Sequence, residues 1–184
     1  MLRLCDRVFA FSGLILCFPV LLVIFLIGLF DTGSSLFIQE RVGREKQTFK
    51  LVKFRTMSKD TVAVATHLAN IASITTLGAF LRRTKLDELP QLWNVLRGEM
   101  SLVGPRPCLP NQIELIAERD KLGVFKVRPG ITGLAQVSGI DMSTPKLLAE
   151  TDAAMIETLN LKNYFKYILL TVLGKGSGDR IRSN

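Results

Sequence analysis

The sequence predicts an α+β chain with a membrane-embedded N-terminal segment, a small β-hairpin and a mainly helical domain. Three observations predict it. Residues 8–30 form an uncharged apolar run. Residues 36–54 hold two short segments of period near two around Gly43, the pattern of a β-hairpin. From residue 60 onward, apolar positions recur mostly at helical spacing, interrupted by Gly- and Pro-rich turns.

Composition sets the limits. The chain has 184 residues, 48% of them hydrophobic and 22% charged, enough for one compact domain with a small appendage. That balance excludes a disordered chain and a collagen-like or low-complexity fibre. The formal net charge is +8, which favours an anionic partner: nucleic acid, an anionic membrane surface or a phosphorylated substrate. Cys5, Cys17 and Cys108 are too scattered for a disulfide framework or a zinc site, and fit a reducing compartment.

The apolar run reads VFAFSGLILCFPVLLVIFLIGLF. As a straight helix it would be roughly 34 Å long, enough to cross a hydrocarbon core. It is longer than the apolar region of a cleaved signal peptide, and Asp31-Thr32-Gly33-Ser34-Ser35 is a poor cleavage site. Arg3 and Arg7 precede it; Arg41, Arg44, Lys46, Lys50, Lys53 and Arg55 follow. Basic flanks prefer the cytoplasm. The stronger downstream flank therefore places the remainder of the chain there, and a straight span would export the upstream flank. Pro19 lies at the centre of the run. Proline removes a helical hydrogen bond and kinks the chain, so two arms of about 16 Å could enter and leave by one face. Spanning helices also tolerate proline, and both forms stay open on these residues alone. The expected division is an anchor over residues 1–34 and a domain over 35–184.

In the remainder, strands are expected at Leu36–Val42 and Thr48–Phe54 with a turn at 43–46. One or two helices, broken near Asn70 to Thr76, are expected over 60–83. A helix is expected over about 87–97, ended by Gly98. Met100–Val103 is a short apolar stretch before the Gly104-Pro105-Arg106-Pro107 turn. Residues 111–122 read as a helix, 128–133 as a loop, 135–137 as a short strand and 145–173 as two helices. Lone His67 reads as a surface helix position.

The segment Thr84-Lys85-Leu86-Asp87-Glu88-Leu89-Pro90-Gln91-Leu92 is the most informative. Thr84 and Asp87 have capping-box spacing, and Pro90 suits a first helical turn. Asp87 and Glu88 would then sit at a helix N-terminus. One reading is that they merely complement the helix dipole, worth about 0.3–1 kcal/mol. Arg82, Arg83 and Lys85 beside them favour a second reading. An ionised carboxylate can attack phosphorus, and a carboxylate pair can hold Mg2+ together with substrate phosphates. Arg106 between two prolines, and Arg128 before Pro129-Gly130-Ile131-Thr132-Gly133, offer fixed guanidinium groups for phosphate. Lys53 and Arg55 add charge on the hairpin, where the plain alternative is a basic face on anionic headgroups.

Taken together the motifs resemble the bacterial sugar transferases, specifically the small monotopic phosphoglycosyl transferases. The matching pieces run over nearly the whole chain. They are the apolar segment with Pro19, Lys53-Phe54-Arg55-Thr56-Met57, Leu86-Asp87-Glu88-Leu89-Pro90-Gln91-Leu92-Trp93-Asn94-Val95, Gly98 to Pro107, and Val127 to Val137. The resemblance implies transfer of a sugar-1-phosphate from a nucleoside diphosphate sugar, usually UDP-linked, to a polyprenol phosphate such as undecaprenyl phosphate, with release of UMP. It implies that Asp87 is the nucleophile and forms a phosphosugar-aspartyl intermediate, and that Glu88 helps bind Mg2+ or handles the acceptor proton. Arg82, Lys53, Arg55, Arg106, Arg128, Gly130, Thr132 and Gln136 become candidates for substrate binding. It implies a re-entrant helix-break-helix anchor in the bacterial inner membrane, a catalytic domain on the cytoplasmic face with interfacial amphipathic helices, and no nucleic-acid partner. The aromatic and basic mixture Lys162 to Leu169 suits such an interfacial helix, or ordinary core packing. Phe18, Leu134, Ala154 and Met155 depart from the family pattern at positions where serine, tryptophan and tyrosines are common. They bear on the membrane bend, the sugar and the nucleobase rather than on the carboxylate pair. The absence of further N-terminal membrane helices suggests a minimal catalytic unit. Two rival readings remain: a membrane-anchored basic module for anionic lipid or nucleic acid, and a phosphatase or nucleotidyl transferase with an incidental anchor.

Overall fold

The computed structural model describes residues 2–59 and 73–176. The expected helical segment over 60–72, and His67 with it, lie outside the described residues.

Helix α1 (Leu2–Thr32) carries the apolar run, and its helical assignment continues through Pro19 without a gap. Only Asp6, Ala10, Ile24 and Gly28 of this helix are buried. Leu16 and Phe30 are 79% and 91% exposed, so this is not the core helix of a soluble domain. Among the described residues it is the one helix long and apolar enough to cross a membrane, by length and composition. Its two arms nevertheless pack on the same body. Ala10 joins Leu51, Val95 and Met100 in one core cluster, and Ile24 joins Phe54 and Leu81 in another. Burial is worth roughly 1.5–3 kcal/mol for the Ile24 side chain and roughly 0.8 kcal/mol for the Ala10 methyl, and both attachments contribute to the fold. Between them, Gly13 lies so close to Leu92 that a Cβ there would sit 3.1 Å from Leu92 Cδ1.

The hairpin follows as the alternation predicts. Strands β1 (Leu36–Val42) and β2 (Thr48–Phe54) pair antiparallel, from Leu36 opposite Phe54 to Val42 opposite Thr48. Asn94 fastens a helix to the hairpin: its Oδ1 accepts from the Val52 amide at 3.1 Å, and its Nδ2 donates to the Lys50 carbonyl at 2.8 Å. One strand edge, otherwise open, is thereby occupied.

Helix α2 (Thr76–Thr84) starts at Thr75, whose hydroxyl accepts from the Gly78 amide at 2.9 Å. The chain then turns through Lys85 in the left-handed region, with φ 58°. Residues Leu86–Glu88 form a single 3-10 turn, and α3 (Gln91–Arg97) begins only after Pro90. This corrects the expected single helix over 87–97. Pro90 has no N–H to give to the Leu86 carbonyl, which instead accepts from the Leu89 amide at 3.3 Å in 3-10 fashion. The capping box does not form either: Thr84 Oγ1 donates back to the Phe80 carbonyl at 2.9 Å. Gly98, with φ 85°, ends α3 as expected.

Strand β3 (Ser101–Val103), helix α4 (Ile113–Lys121) and strand β4 (Gly130–Thr132) form a small parallel unit, with Ser101 opposite Gly130 and Val103 opposite Thr132. The segment expected as a loop over 128–133 thus contains a strand. The segment expected as a strand over 135–137 is instead a helical turn, α5 (Leu134–Val137). Three residues carry too little periodicity to separate the two forms; the parallel pairing with β3 decides the first. Helices α6 (Pro145–Thr158) and α7 (Leu161–Val172) close the body. Phe165 and Leu169 on α7 are 40% and 58% exposed, and the Phe165 ring meets Phe9 of α1 edge to face at 5.7 Å. The apolar surface of α1 therefore continues onto α7.

Candidate active site

The 3-10 turn places two neighbouring carboxylates differently. Asp87 is buried at 2% exposure. Glu88 is partly exposed, and its Oε1 accepts from Arg106 Nη2 at 3.0 Å. Arg106 comes from the turn after β3, so an ion pair joins the acidic segment to the Gly-Pro-Arg-Pro turn. Both side chains retain some solvent contact, which limits the worth of the pair to roughly 1 kcal/mol. Its significance lies in position rather than stability.

The backbone that presents Arg106 is held from beneath. Arg119 of α4 and Asp152 of α6 form an ion pair at 2.6 Å, with side chains 2% and 0% exposed. Arg119 Nη1 donates to the Arg106 carbonyl at 2.8 Å. From the other side, Arg41 Nη1 donates to the Pro107 carbonyl at 3.1 Å. Asp152 Oδ1 has no hydrogen-bond partner among the described residues. Burial raises its carboxyl above the ordinary range, and Arg119 pulls the other way.

Arg41, Lys53, Gln91, Arg106 and Gly130 line one cleft. The cleft is small, about 10 Å³, and three cations converge on it next to the turn that carries Asp87 and Glu88, a concentration of positive charge that favours anions. Of the residues singled out from sequence, the structure brings Asp87, Glu88, Lys53, Arg106 and Gly130 to this region. Gly130 is also glycine for a packing reason: a Cβ there would lie 2.0 Å from the Gly104 amide nitrogen. Arg82 stands at the end of α2, where its Nε donates to Thr56 Oγ1 at 2.8 Å. Arg55 packs on the Phe37 ring at 5.3 Å and reaches the Leu36 carbonyl. Arg128 donates to the Gly98 carbonyl at 2.7 Å, a cation at the C-terminal end of α3. Burial, with Arg3 and Arg44 nearby, lowers its pKa. Gln136 Nε2 donates to the Gly104 carbonyl at 3.3 Å, and Thr132 Oγ1 meets Thr171 Oγ1 at 2.5 Å; both support the turn and β4.

Among the described residues no group of three or more His, Cys, Asp or Glu could hold a metal ion. The two carboxylates alone are a donor set suited to Mg2+, which is commonly bound through one or two carboxylates plus substrate phosphates.

Sequence reasoning missed Arg41, Gln91, Arg119, Asp152 and Asp6. Asp6 is 1% exposed in α1 and accepts from Ser101 Oγ at 2.8 Å, the Leu102 amide at 2.9 Å and Tyr164 Oη at 2.9 Å. One available signal was a lone acid just ahead of a long uncharged run.

The chain matches the bacterial sugar transferase family over residues 1–175, and it belongs to that family. It is 39% identical over 187 residues to the UDP-galactose-lipid carrier transferase of Erwinia amylovora, covering 92% of this chain and 39% of that protein. It is 41% identical over 154 residues to the exopolysaccharide production protein ExoY of Rhizobium meliloti, covering 73% of this chain and 67% of that protein. The undecaprenyl-phosphate galactose phosphotransferase of Salmonella typhimurium is 38% identical over 154 residues, covering 74% of this chain and 32% of that protein. The chain thus spans well under half the length of the first and last of these.

Proposed function

We propose that the chain transfers a sugar-1-phosphate from a UDP-sugar to a polyprenol phosphate such as undecaprenyl phosphate, releasing UMP, at the start of membrane-bound glycan assembly. The observation that carries this reading is the Asp87–Glu88 pair coupled to Arg106 beside a cleft with two further cations. The names of the relatives, with a lipid carrier in one and undecaprenyl phosphate in another, supply the substrate classes.

The Asp87 carboxylate attacks the β-phosphorus of the nucleotide sugar. An Asp–O–P bond forms, the bond from that phosphorus to the bridging oxygen breaks, and UMP leaves with the bridging oxygen. A phosphate oxygen of the polyprenol phosphate then attacks the same phosphorus. The Asp–O–P bond breaks, the carboxylate is restored and a polyprenol diphosphate sugar departs. Glu88, oriented by Arg106, takes the proton of an acceptor that arrives protonated. Arg41, Lys53 and Arg106 offset the charge of the phosphates during both steps. Asp87 and Glu88 would hold Mg2+ with the substrate phosphates, and when bound it neutralises diphosphate charge. In the same reading α1 enters and leaves the inner membrane by its cytoplasmic face, bent at Pro19. Support comes from Asp6 and Ile24, which tie opposite arms to one body.

The test is UMP release from a panel of UDP-sugars, UDP-galactose included, with undecaprenyl phosphate present. Asp87→Asn is expected to lower it by about a thousandfold or more while the protein still partitions into membranes. Full turnover by Asp87→Asn would remove the nucleophile. Equal hydrolysis without lipid would favour a phosphatase, and salt-weakened binding without turnover a basic binding module.

A further inference from the structure

A second cavity, of about 320 Å³, is lined in part by the acidic turn. Its apolar wall is built by Leu89, Leu92, Leu102, Ile131, Ile168 and Val172, and its polar lining includes Lys85 and Glu88. Glu88 therefore borders this cavity while its Oε1 is tied to Arg106, a residue of the basic cleft. The Glu88–Arg106 pair thus links the lining of the apolar cavity to that of the small basic cleft.

The location of the apolar chamber indicates its occupant. Ile168 and Val172 share one face of α7 with Phe165 and Leu169, and the exposed Phe165, Leu169 and Val172 continue the apolar surface of α1. Leu92 lies directly beneath Gly13, in the uncharged stretch of α1. A cavity with an apolar wall beside a membrane-facing helix and with Lys85 in its lining is complementary to a ligand with a hydrocarbon tail and an anionic head. A soluble nucleotide sugar has no part that matches it. The volume is at the small end for organic ligand sites, about 300–1,000 Å³, so it takes only the part of a long chain nearest its head.

We propose that this chamber seats the first isoprene units of the polyprenol phosphate, leading its phosphate past Lys85 to Glu88. The inference rests on the acceptor assigned above, and it adds where the acceptor binds and through which residues.

The experiment has two arms on the full chain in detergent micelles. The first uses a polyprenyl phosphate carrying a photoreactive group in its head-proximal isoprene units. Labelled peptides are expected from the segments 84–92, 131–132 and 168–172, with labelling suppressed by excess undecaprenyl phosphate but not by phosphatidic acid. Labelling confined to α1, or equal suppression by phosphatidic acid, overturns the proposal. The second arm fills the chamber. Ile168→Trp is expected to raise KM for undecaprenyl phosphate about tenfold with KM for the UDP-sugar within about twofold; Val172→Trp repeats the test on an exposed position should the first variant fold poorly. Leu147→Trp, on the exposed side of α6, serves as the control and alters neither. An unchanged lipid KM in both chamber variants, or a parallel rise for both substrates, overturns it. The two readings fail separately: labelling without any UMP release defeats the assigned reaction alone, whereas turnover with an unaltered lipid KM defeats the chamber alone.

Discussion

Arg119 Nη2 stands 2.6 Å from Asp152 Oδ2, and the same guanidinium donates through Nη1 to the carbonyl of Arg106. A fully buried ion pair between two helices thus ends on the backbone of the residue that holds Glu88. Removing one member strands a charge without water, which costs about 3–5 kcal/mol, whereas replacing both with apolar side chains is often neutral. Arg119→Met is therefore expected to lower unfolding free energy by about that amount, and Arg119→Met/Asp152→Leu to recover most of it. Chemical denaturation in detergent measures both. The double variant should remain catalytically impaired despite its regained stability, because the Arg106 carbonyl has lost its donor.

Tyr164 should govern stability at high pH. Burial, and then the Asp6 carboxylate that accepts its hydroxyl, raise its phenol above the ordinary value. The folded chain keeps a proton that the unfolded chain loses above about pH 10. The stabilisation is complete below that pH and declines as pH rises beyond it. Tyr164→Phe should be less stable at neutral pH by about 1 kcal/mol, through loss of one hydrogen bond, and show a shallower alkaline decline. Melting curves at pH 8 to 11 distinguish this from a variant that merely shifts the whole profile.

Gly130→Ala tests the crossing of two backbones. A Cβ there would sit 2.0 Å from the Gly104 nitrogen, and one at Gly104 would sit 2.5 Å from the Arg128 carbonyl oxygen. Either change must separate β3 from β4 and displace the turn that carries Arg106. The expected result is loss of UMP release by at least about a hundredfold, with membrane partition retained. Near-normal activity would mean that the turn tolerates the shift.

The N-terminal arm gives a topological test. Leu4 is 69% exposed, two residues from Asp6. A lone cysteine at position 4, with Cys5, Cys17 and Cys108 replaced by alanine, should react with an impermeant maleimide only from the cytoplasmic side of sealed vesicles. Reaction from the periplasmic side alone would establish a straight span.

What the sequence made legible follows physical range. The hairpin was readable because alternation is local and the turn chemistry agrees with it. Gly98 was readable because a left-handed end to α3 needs little else. The carboxylate pair and Arg106 stood out as unusual chemistry in constrained backbone. The start of α3 was misplaced because a helical pattern beginning at 87 does not reveal that Pro90 deprives Leu86 of its α-helical donor. Gly130 suggested access for a ligand, and the structure adds the neighbouring glycine that crowds it. Arg119 and Asp152 were invisible, and the tie of Asp6 to the body was too, because those partners lie 13 to 158 residues away, a distance over which no spacing rule operates.

The attachment of Asp6 also sets an order of events during synthesis. This carboxylate leaves the ribosome ahead of the apolar stretch that follows it, but its partners Ser101, Leu102 and Tyr164 emerge 95 to 158 residues later. Until then the apolar helix carries that charge with no partner but the neighbouring Arg3. Only after α7 is released can Asp6 be drawn against Tyr164, and closure of the body around α1 is thus a late step of long sequence range.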